Sequence, residues 1–213
     1  MSDVLLTPAE ARVVAALVEK SITTPQYYPL TVNAIMMAAN QKSCRHPVMN
    51  LSEGDVGAAL NRLEGDGFVA RDNLSGRVTK WRHRFQHQLL LKPEALAVLA
   101  TIMLRGPQTV AELRANAAQL GGPADAEGVA AVIRDLGDRG QPLVAQLARA
   151  PGQKETRFAH RLCGDVPVSS LEIELPVPGA SRSSASDALV ALEERVRALE
   201  ARVAELERRD AEG

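Results

Sequence analysis

The sequence predicts a mainly α, α+β fold with small β-hairpins, built from one unit used twice and completed by a C-terminal helix. Apolar residues recur at helical spacing in three consecutive segments. Two short extended segments around a polar, Gly-containing turn follow them and indicate a β-hairpin. The same order then repeats. Three helices followed by a hairpin are typical of a winged helix-turn-helix domain, so we predict two such domains in tandem.

The predicted boundaries divide the 213 residues into four parts. The first winged-helix domain covers residues 1–88, and the second covers residues 89–166. A linker rich in Pro, Ser and Gly covers residues 167–186. A C-terminal coiled-coil helix covers residues 187–213. Because only 3% of the residues are aromatic and 46% are hydrophobic, we expect cores of Leu, Val, Ile and Ala.

The first domain opens with a helix from Pro8 to about Lys20, in which Thr7 and Glu10 complete a capping box. A second helix is predicted over residues 31–39, and a third begins after the cap Ser52. The hairpin strands are predicted at residues 68–71 and 77–85.

The second domain repeats this order with helices over residues 93–104, 109–120 and 125–136. Its hairpin strands are predicted at residues 143–149 and 155–161. Only residues 121–124 join its second and third helices. The longer connection at residues 40–49 is therefore an insert that the fold does not require.

The C-terminal helix carries apolar residues at 3-4 spacing over three heptads. The predicted dimerisation residues are Leu189, Leu192, Val196, Leu199, Val203 and Leu206. Arginines at position g face glutamates at position e only in a parallel pair, which predicts a parallel homodimer. The alternative is an amphipathic helix that folds back on its own domain.

The sequence predicts a protein that is not an enzyme and has no metal or other cofactor. Cys44 and His46 lie two residues apart, and His83 and His87 lie four apart, but neither pair has a third candidate ligand nearby. No Gly-rich phosphate loop is visible. The two cysteines suit a reducing cytoplasm. No signal peptide is visible, and the longest apolar run, residues 95–104, is about half a membrane span.

Basic residues on the hairpins are candidate contacts to nucleic-acid phosphates. They are Arg71, Arg77, Lys80, Arg82 and Arg84 in the first hairpin, and Arg149, Lys154 and Arg157 in the second. The alternative is that these charges only protect solvated edge strands from aggregation. The third helices argue against base readout, because residues 53–66 hold four acids against one arginine and residues 125–139 hold four against two.

The insert is a second candidate site. Its polar start predicts an interaction surface formed by Asn40, Gln41, Lys42, Ser43 and Arg45. We expect the following Pro47, Val48 and Met49 to anchor it to the core. The alternative is a loop that merely covers helix ends.

Several short runs carry a resemblance to a known family. They are Thr24-Pro25-Gln26, Tyr28-Pro29-Leu30, Asn33-Ala34, Asn40-Gln41-Lys42-Ser43, Arg45, Pro47-Val48-Met49, Gly76-Arg77-Val78-Thr79-Lys80, Arg84-Phe85, Leu104-Arg105-Gly106, Gln108-Thr109, Leu147-Ala148-Arg149 and Pro151-Gly152. With these runs the chain resembles the bacterial YceH family over nearly its whole length. The resemblance implies a tandem winged-helix fold with a helical tail and supplies no catalytic residues. This chain departs from the family pattern at Ala39, Cys44 and His46.

The function expected from these patterns is that of a DNA-associated or regulatory binding protein that contacts phosphates through its basic wings. The alternative is a protein-interaction adaptor that uses residues 40–49 without binding DNA directly. A membrane partner is not expected.

Overall fold

The structure is a computed structural model that describes residues 5–72, 78–148 and 155–164. Within these ranges the protein is an α+β fold of α-helices and two small antiparallel sheets, as predicted. The linker at residues 167–186 and the coiled-coil helix at residues 187–213 lie outside the described residues. The predicted dimerisation residues therefore also lie outside them.

The first half contains three helices before its hairpin. They are α1 (Pro8–Thr23), α2 (Val32–Ala39) and α3 (Glu53–Gly65). The capping box at Thr7 and Glu10 is confirmed, and Ser52 forms another with Asp55. These boxes satisfy backbone N–H groups that the first turn of each helix leaves without partners.

A three-stranded antiparallel sheet with the order β1-β3-β2 completes this half. Its strands are β1 (Leu30–Thr31), β2 (Val69–Asp72) and β3 (Lys80–His83). The sequence did not indicate β1, in which Leu30 lies opposite Trp81. The predicted strand over residues 77–85 was too long, since β3 ends at His83 and Phe85 begins the short helix α4 (Phe85–Gln88). The fully buried Phe85 packs against Phe68 at a ring-centroid distance of 5.5 Å.

The second half repeats the order. Its elements are α5 (Pro93–Arg105), α6 (Val110–Ala117), α7 (Ala126–Gly137), β4 (Val144–Gln146) and β5 (Phe158–His160). Strands β4 and β5 form an antiparallel pair. Gln108 joins this pair through a backbone bridge to Phe158, with N···O distances of 3.1 and 2.8 Å in the two directions.

The two halves share one hydrophobic core. Residues 13–18 of α1 and residues 95–104 of α5 are buried, and these two helices pack against each other. Buried side chains from both halves belong to one continuous cluster. Backbone hydrogen bonds also cross between the halves, from Leu6 N to Leu162 O at 2.6 Å and from His46 N to Leu104 O at 2.8 Å.

No helix in the described ranges combines the length and the apolar character that crossing a bilayer requires.

Candidate functional site

The loop that joins α2 to α3 is built around Arg45. Its side chain is fully buried, and its guanidinium faces the carboxylate of Glu19 on α1. Nη1 donates to Oε1 at 3.0 Å, and Nη2 donates to Oε2 at 2.6 Å. Nε and Nη2 also donate to the carbonyl of Ala38 at 3.1 and 2.9 Å. Within the loop, Nη1 donates to Cys44 O at 2.9 Å and Nη2 donates to Gln41 Oε1 at 2.8 Å. Arg45 therefore ties the loop to α1 and to the end of α2.

The pairing with Arg45 controls the charge of Glu19. Burial alone would raise the pKa of Glu19. The hydrogen bonds and positive charge of Arg45, together with Lys20, outweigh burial and hold that pKa below its ordinary value. Glu19 is therefore a stable anionic partner for the buried guanidinium near neutral pH.

A second buried arginine, Arg12 of α1, holds the two ends of the same loop. Its Nη1 donates to Ala39 O at 3.2 Å, and its Nη2 donates to Pro47 O at 2.8 Å. Burial and the nearby Arg45 charge both lower the pKa of Arg12. The backbone carbonyls at both ends of the loop thus provide hydrogen-bond acceptors for a guanidinium that is shielded from water.

Two further contacts fix the loop. The Asn40 amide exchanges two hydrogen bonds with the backbone of Leu51, both 2.8 Å long, and so closes the loop. The backbone N of His46 donates to Leu104 O at the end of α5, at 2.8 Å. The His46 ring lies against Gly106, where a Cβ atom on residue 106 would approach the ring Cδ2 to 2.8 Å. The loop therefore contacts both halves of the molecule.

These contacts correct two expectations about the insert. Arg45 was expected on an exposed surface, but only 6% of the residue is accessible, because its guanidinium neutralises Glu19. Pro47, Val48 and Met49 were expected to anchor the loop, but Pro47 is exposed, Val48 is 58% exposed and Met49 is half-buried. Buried hydrogen bonds, rather than apolar burial, hold this loop in place.

The other predicted residues of the insert surface occupy two environments. Lys42 and Ser43 are exposed, whereas Asn40 and Gln41 are half-buried and hydrogen-bonded inside the loop. The exposed tip of the loop consists of Lys42, Ser43, Cys44, His46, Pro47 and Val48.

Replacing Gly106 with Ala is expected to lower the free energy of unfolding by about 2 kcal/mol, since its φ of 75° and ψ of −164° suit glycine almost exclusively. The added methyl group also meets the His46 ring. Urea denaturation measures the effect, and adding His46→Ala is expected to restore part of the loss. Gly57→Ala in α3 is the control, because nothing lies within 4 Å of its added methyl group. It is expected to leave stability unchanged or higher by up to about 1 kcal/mol. A Gly106→Ala protein as stable as the wild type would contradict the contact.

Two arginines of the first hairpin, Arg71 and Arg82, are paired with acids of their own half. Arg71 Nη2 lies 3.1 Å from Glu64 Oε2, and the guanidinium stacks 5.0 Å from the Trp81 ring centroid. Arg82 Nη2 lies 3.1 Å from Asp72 Oδ2. Arg84 is exposed, Lys80 is half-buried, and Arg77 lies outside the described residues. The positive charge of this hairpin is therefore partly neutralised from within.

The second hairpin shows the same arrangement. Arg157 makes a two-point ion pair with Glu112 of α6, at 2.8 and 3.0 Å, and also donates to Pro107 O at 2.9 Å. Glu112 belongs in turn to the capping box of Thr109. Arg157 thus fastens the hairpin to α6. Arg149 and Lys154 lie outside the described residues.

The cysteine and histidine pairs singled out from the sequence lie in separate environments. Cys44 is exposed with a φ of 59°. His83 is half-buried, its Nε2 lies 3.0 Å from Ser21 Oγ, and burial together with the charge of His87 lowers its pKa to about 4. Within the described ranges, no group of three or more His, Cys, Asp and Glu side chains is arranged to hold a metal ion.

Sequence reasoning missed Arg12 and Glu19 as partners of the loop. One signal for Arg12 was present, because it stands in a stretch of α1 that is apolar on nearly all sides. The long, charged side chain of an arginine in such a stretch has little access to solvent. The pairing of Glu19 with Arg45 spans 26 residues and left no local pattern.

Comparison with known proteins places the chain in a family. Residues 6–153 match the family model described as "Protein of unknown function, DUF480". A UPF0502 protein of Pelobacter propionicus is 44% identical over 196 residues, which cover 91% of this chain and 90% of the relative. A UPF0502 protein of Geobacter sulfurreducens is 42% identical over the same shares. A UPF0502 protein of Burkholderia cenocepacia is 47% identical over 161 residues, which cover 76% of this chain and 68% of the relative.

The expected membership of a bacterial family without an assigned function is confirmed by these matches, whereas the YceH name stays a prediction. The match includes α1, the loop with Arg45 and most of the second half. This chain belongs to the DUF480 family, whose relatives in these bacteria carry the UPF0502 name.

Proposed function

We propose that this protein is a non-enzymatic tandem winged-helix adaptor that binds another protein through the exposed tip of its 40–49 loop. The tandem winged-helix assignment is supported by the order of three helices and a hairpin in each half. The resemblance to the YceH family supports the same assignment. Winged-helix folds serve both nucleic-acid and protein binding, so the site must decide between them.

The observation that carries the proposal is the buried scaffold beneath the loop. Arg12, Glu19 and Arg45 are charged groups largely withdrawn from water, and their removal from water is costly. The second half joins the equivalent helices through a much shorter connection without such groups. A costly scaffold that holds an exposed tip in one shape is typical of a binding loop on a rigid framework.

The hairpins favour protein binding over DNA binding. Arg71, Arg82 and Arg157 already face Glu64, Asp72 and Glu112. A phosphate approaching these arginines also meets the carboxylates. The exposed acids of α3, including Glu53 and Asp55, add repulsion where a recognition helix would approach the duplex.

DNA association through the wings stays the second candidate. It relies on the exposed Arg84 and the half-buried Lys80, together with three basic residues that lie outside the described ranges. They are Arg77, Arg149 and Lys154. Such binding would weaken steeply as salt rises, because it releases counterions from the phosphates.

A parallel homodimer through residues 187–213 forms part of the proposal. Two loop tips on one dimer would raise the apparent affinity for a dimeric partner through effective concentration. Light scattering of the full chain and of a variant without these residues measures the mass. A deletion variant with the same oligomeric state as the full chain contradicts this dimer.

A pull-down from bacterial lysate, with and without nuclease, tests the adaptor function. We expect a partner protein that survives nuclease and elevated salt. The substitutions Lys42→Glu and Val48→Asp at the tip are expected to abolish capture. Val78→Asp is the matched control, because Val78 is 59% exposed and lies outside the loop. Loss of all partners on nuclease treatment, or equal capture by tip and control variants, would contradict the adaptor function.

Duplex binding that is lost with Lys80→Ala and Arg84→Ala would favour the DNA alternative.

A further inference from the structure

A stretch without charge precedes the loop. Residues 21–41 contain no Asp, Glu, Lys, Arg or His, although charged residues make up 24% of the chain. This stretch covers the end of α1, a 3-10 turn (Pro25–Tyr27), β1 and all of α2. Depletion of charge is typical of the central part of a protein–protein interface.

The stretch also exposes large apolar side chains. Ile22 is 37% exposed, Tyr27 is 71% exposed and Met37 is 65% exposed. Tyrosine and methionine are enriched at interfaces, where they supply contact area with adaptable packing. These three residues are therefore the candidate apolar centre of a docking surface.

Hydrogen bonds of Arg45 tie the loop to the two helices that carry Ile22 and Met37. Arg45 bonds to both Glu19 and Ala38. Ile22 follows Glu19 by three positions on the same helix face, and Met37 is the neighbour of Ala38. The 3-10 turn with Tyr27 continues from α1 through the bonds from Thr24 N to Lys20 O and from Tyr27 N to Thr24 O, 3.1 and 3.0 Å long.

The charges beside this centre have one sign on the loop. Lys42 is exposed at the tip, and residues 40–50 contain no carboxylate side chain. The carboxylate that contacts the loop's guanidinium is that of Glu19, which Arg45 and Lys20 both neutralise. The loop therefore presents a basic edge to the apolar centre.

The second half shows that the fold does not impose this pattern. Its equivalent elements between residues 107 and 120 carry Glu112 and Arg114, and Glu112 is ion-paired with Arg157. The charge-free character is thus specific to the first half, where the insert also lies.

We propose that Ile22, Tyr27 and Met37, together with the neighbouring cation Lys42, form a docking surface for an apolar protein segment flanked by carboxylates. The inference rests on the proposed adaptor function and names the chemistry of its partner. The apolar centre would supply the affinity, and the basic edge would select for acidic flanks.

Selection of random peptides displayed on phage against the full-length protein tests this chemistry. We expect enriched peptides to combine large apolar residues with neighbouring Asp or Glu. Synthetic copies of an enriched peptide are then measured by fluorescence polarisation. Met37→Asp or Tyr27→Asp is expected to weaken binding by about tenfold or more, as for central interface residues. Lys42→Glu is expected to weaken it and to reduce its dependence on salt. Val78→Asp is the control and is expected to change binding by less than about twofold.

Because all substituted side chains are exposed, each variant is expected to fold. Circular dichroism and the melting temperature verify this. Enrichment of basic or uncharged peptides, absence of enrichment, or unchanged binding by Met37→Asp and Tyr27→Asp would overturn this inference. Should the tip variants still lose their lysate partner in that case, the adaptor function stands and only the docking chemistry is wrong. Loss of the lysate partner with Met37→Asp supports both.

Discussion

Replacing Arg45 with Met is expected to lower the free energy of unfolding by about 3 kcal/mol or more, since it removes the buried cation that pairs with the half-buried carboxylate of Glu19. Glu19 loses a two-point pair, and the carbonyl of Ala38 loses its donor. Urea denaturation followed by circular dichroism measures the change. Hydrogen exchange at the His46 amide is expected to accelerate as well, because the loop loses its central contact.

Two controls separate the ion pair from a general effect of substitution in the loop. Lys42→Met changes the same type of charge at an exposed position and is expected to alter stability by less than about 0.5 kcal/mol. Adding Glu19→Gln to Arg45→Met removes the carboxylate charge that Arg45 neutralises and is expected to recover part of the loss. Equal stability of Arg45→Met and the wild type would contradict a structural role for this arginine.

The same pair predicts a dependence on pH. The pKa of Glu19 lies below its ordinary value in the folded state, so the folded protein binds this proton less readily than the unfolded chain. The pair therefore contributes fully above that ordinary value, and its contribution is lost as pH falls through the lowered pKa. Arg45→Met is expected to remove this acid-sensitive component, measured as a smaller difference in stability between neutral and acidic pH.

Replacing Leu99 with Ala is expected to destabilise both halves of the protein together by about 3 kcal/mol. Leu99 lies in α5 with no exposed surface, and α5 packs against α1 within one continuous core. The substitution removes buried methyl groups and leaves a cavity in the second half. Because the core is shared, we expect the first half to unfold at the same lower denaturant concentration.

Trp81 makes this coupling measurable. It is the only tryptophan of the chain, lies in the first half and is 4% exposed. We expect its fluorescence transition to shift with Leu99→Ala and to coincide with the transition seen by circular dichroism. Leu90→Ala is the matched control, since Leu90 is 84% exposed and is expected to change stability by less than about 0.5 kcal/mol. A Trp81 transition that stays at its wild-type position would indicate that the halves unfold independently, as the predicted boundary at residue 88 allows.

The helices were largely predictable because their signals lie within a few residues. Thr7 with Glu10 and Ser52 with Asp55 are three positions apart, and each pair satisfies the first turn of its own helix. Pro8 and Pro93 mark the first positions of α1 and α5. The short strand β1 was not predictable in this way, since its two residues form a strand only through their pairing with β3.

The candidate site was predictable only in part. Comparing the two halves identified the 40–49 loop as an insert, and Lys42 and Ser43 do lie on its exposed side. The role of Arg45 was misjudged because a lone arginine in a polar run usually reaches water. Its burial depends on Glu19, which is far from it in the sequence and shares no local pattern with it.

The α+β composition, the order of elements in each half, the main caps and the existence of the insert could all be predicted from the amino-acid sequence. These features depend on local hydrogen bonds and on the spacing of apolar residues. Three features became visible only in the folded chain: α1 and α5 share a core, Arg71 and Arg157 face acids of their own half, and Arg45 supports the loop from within. Each of these depends on side chains far apart in the chain, whose burial and pairing are set when the elements pack together.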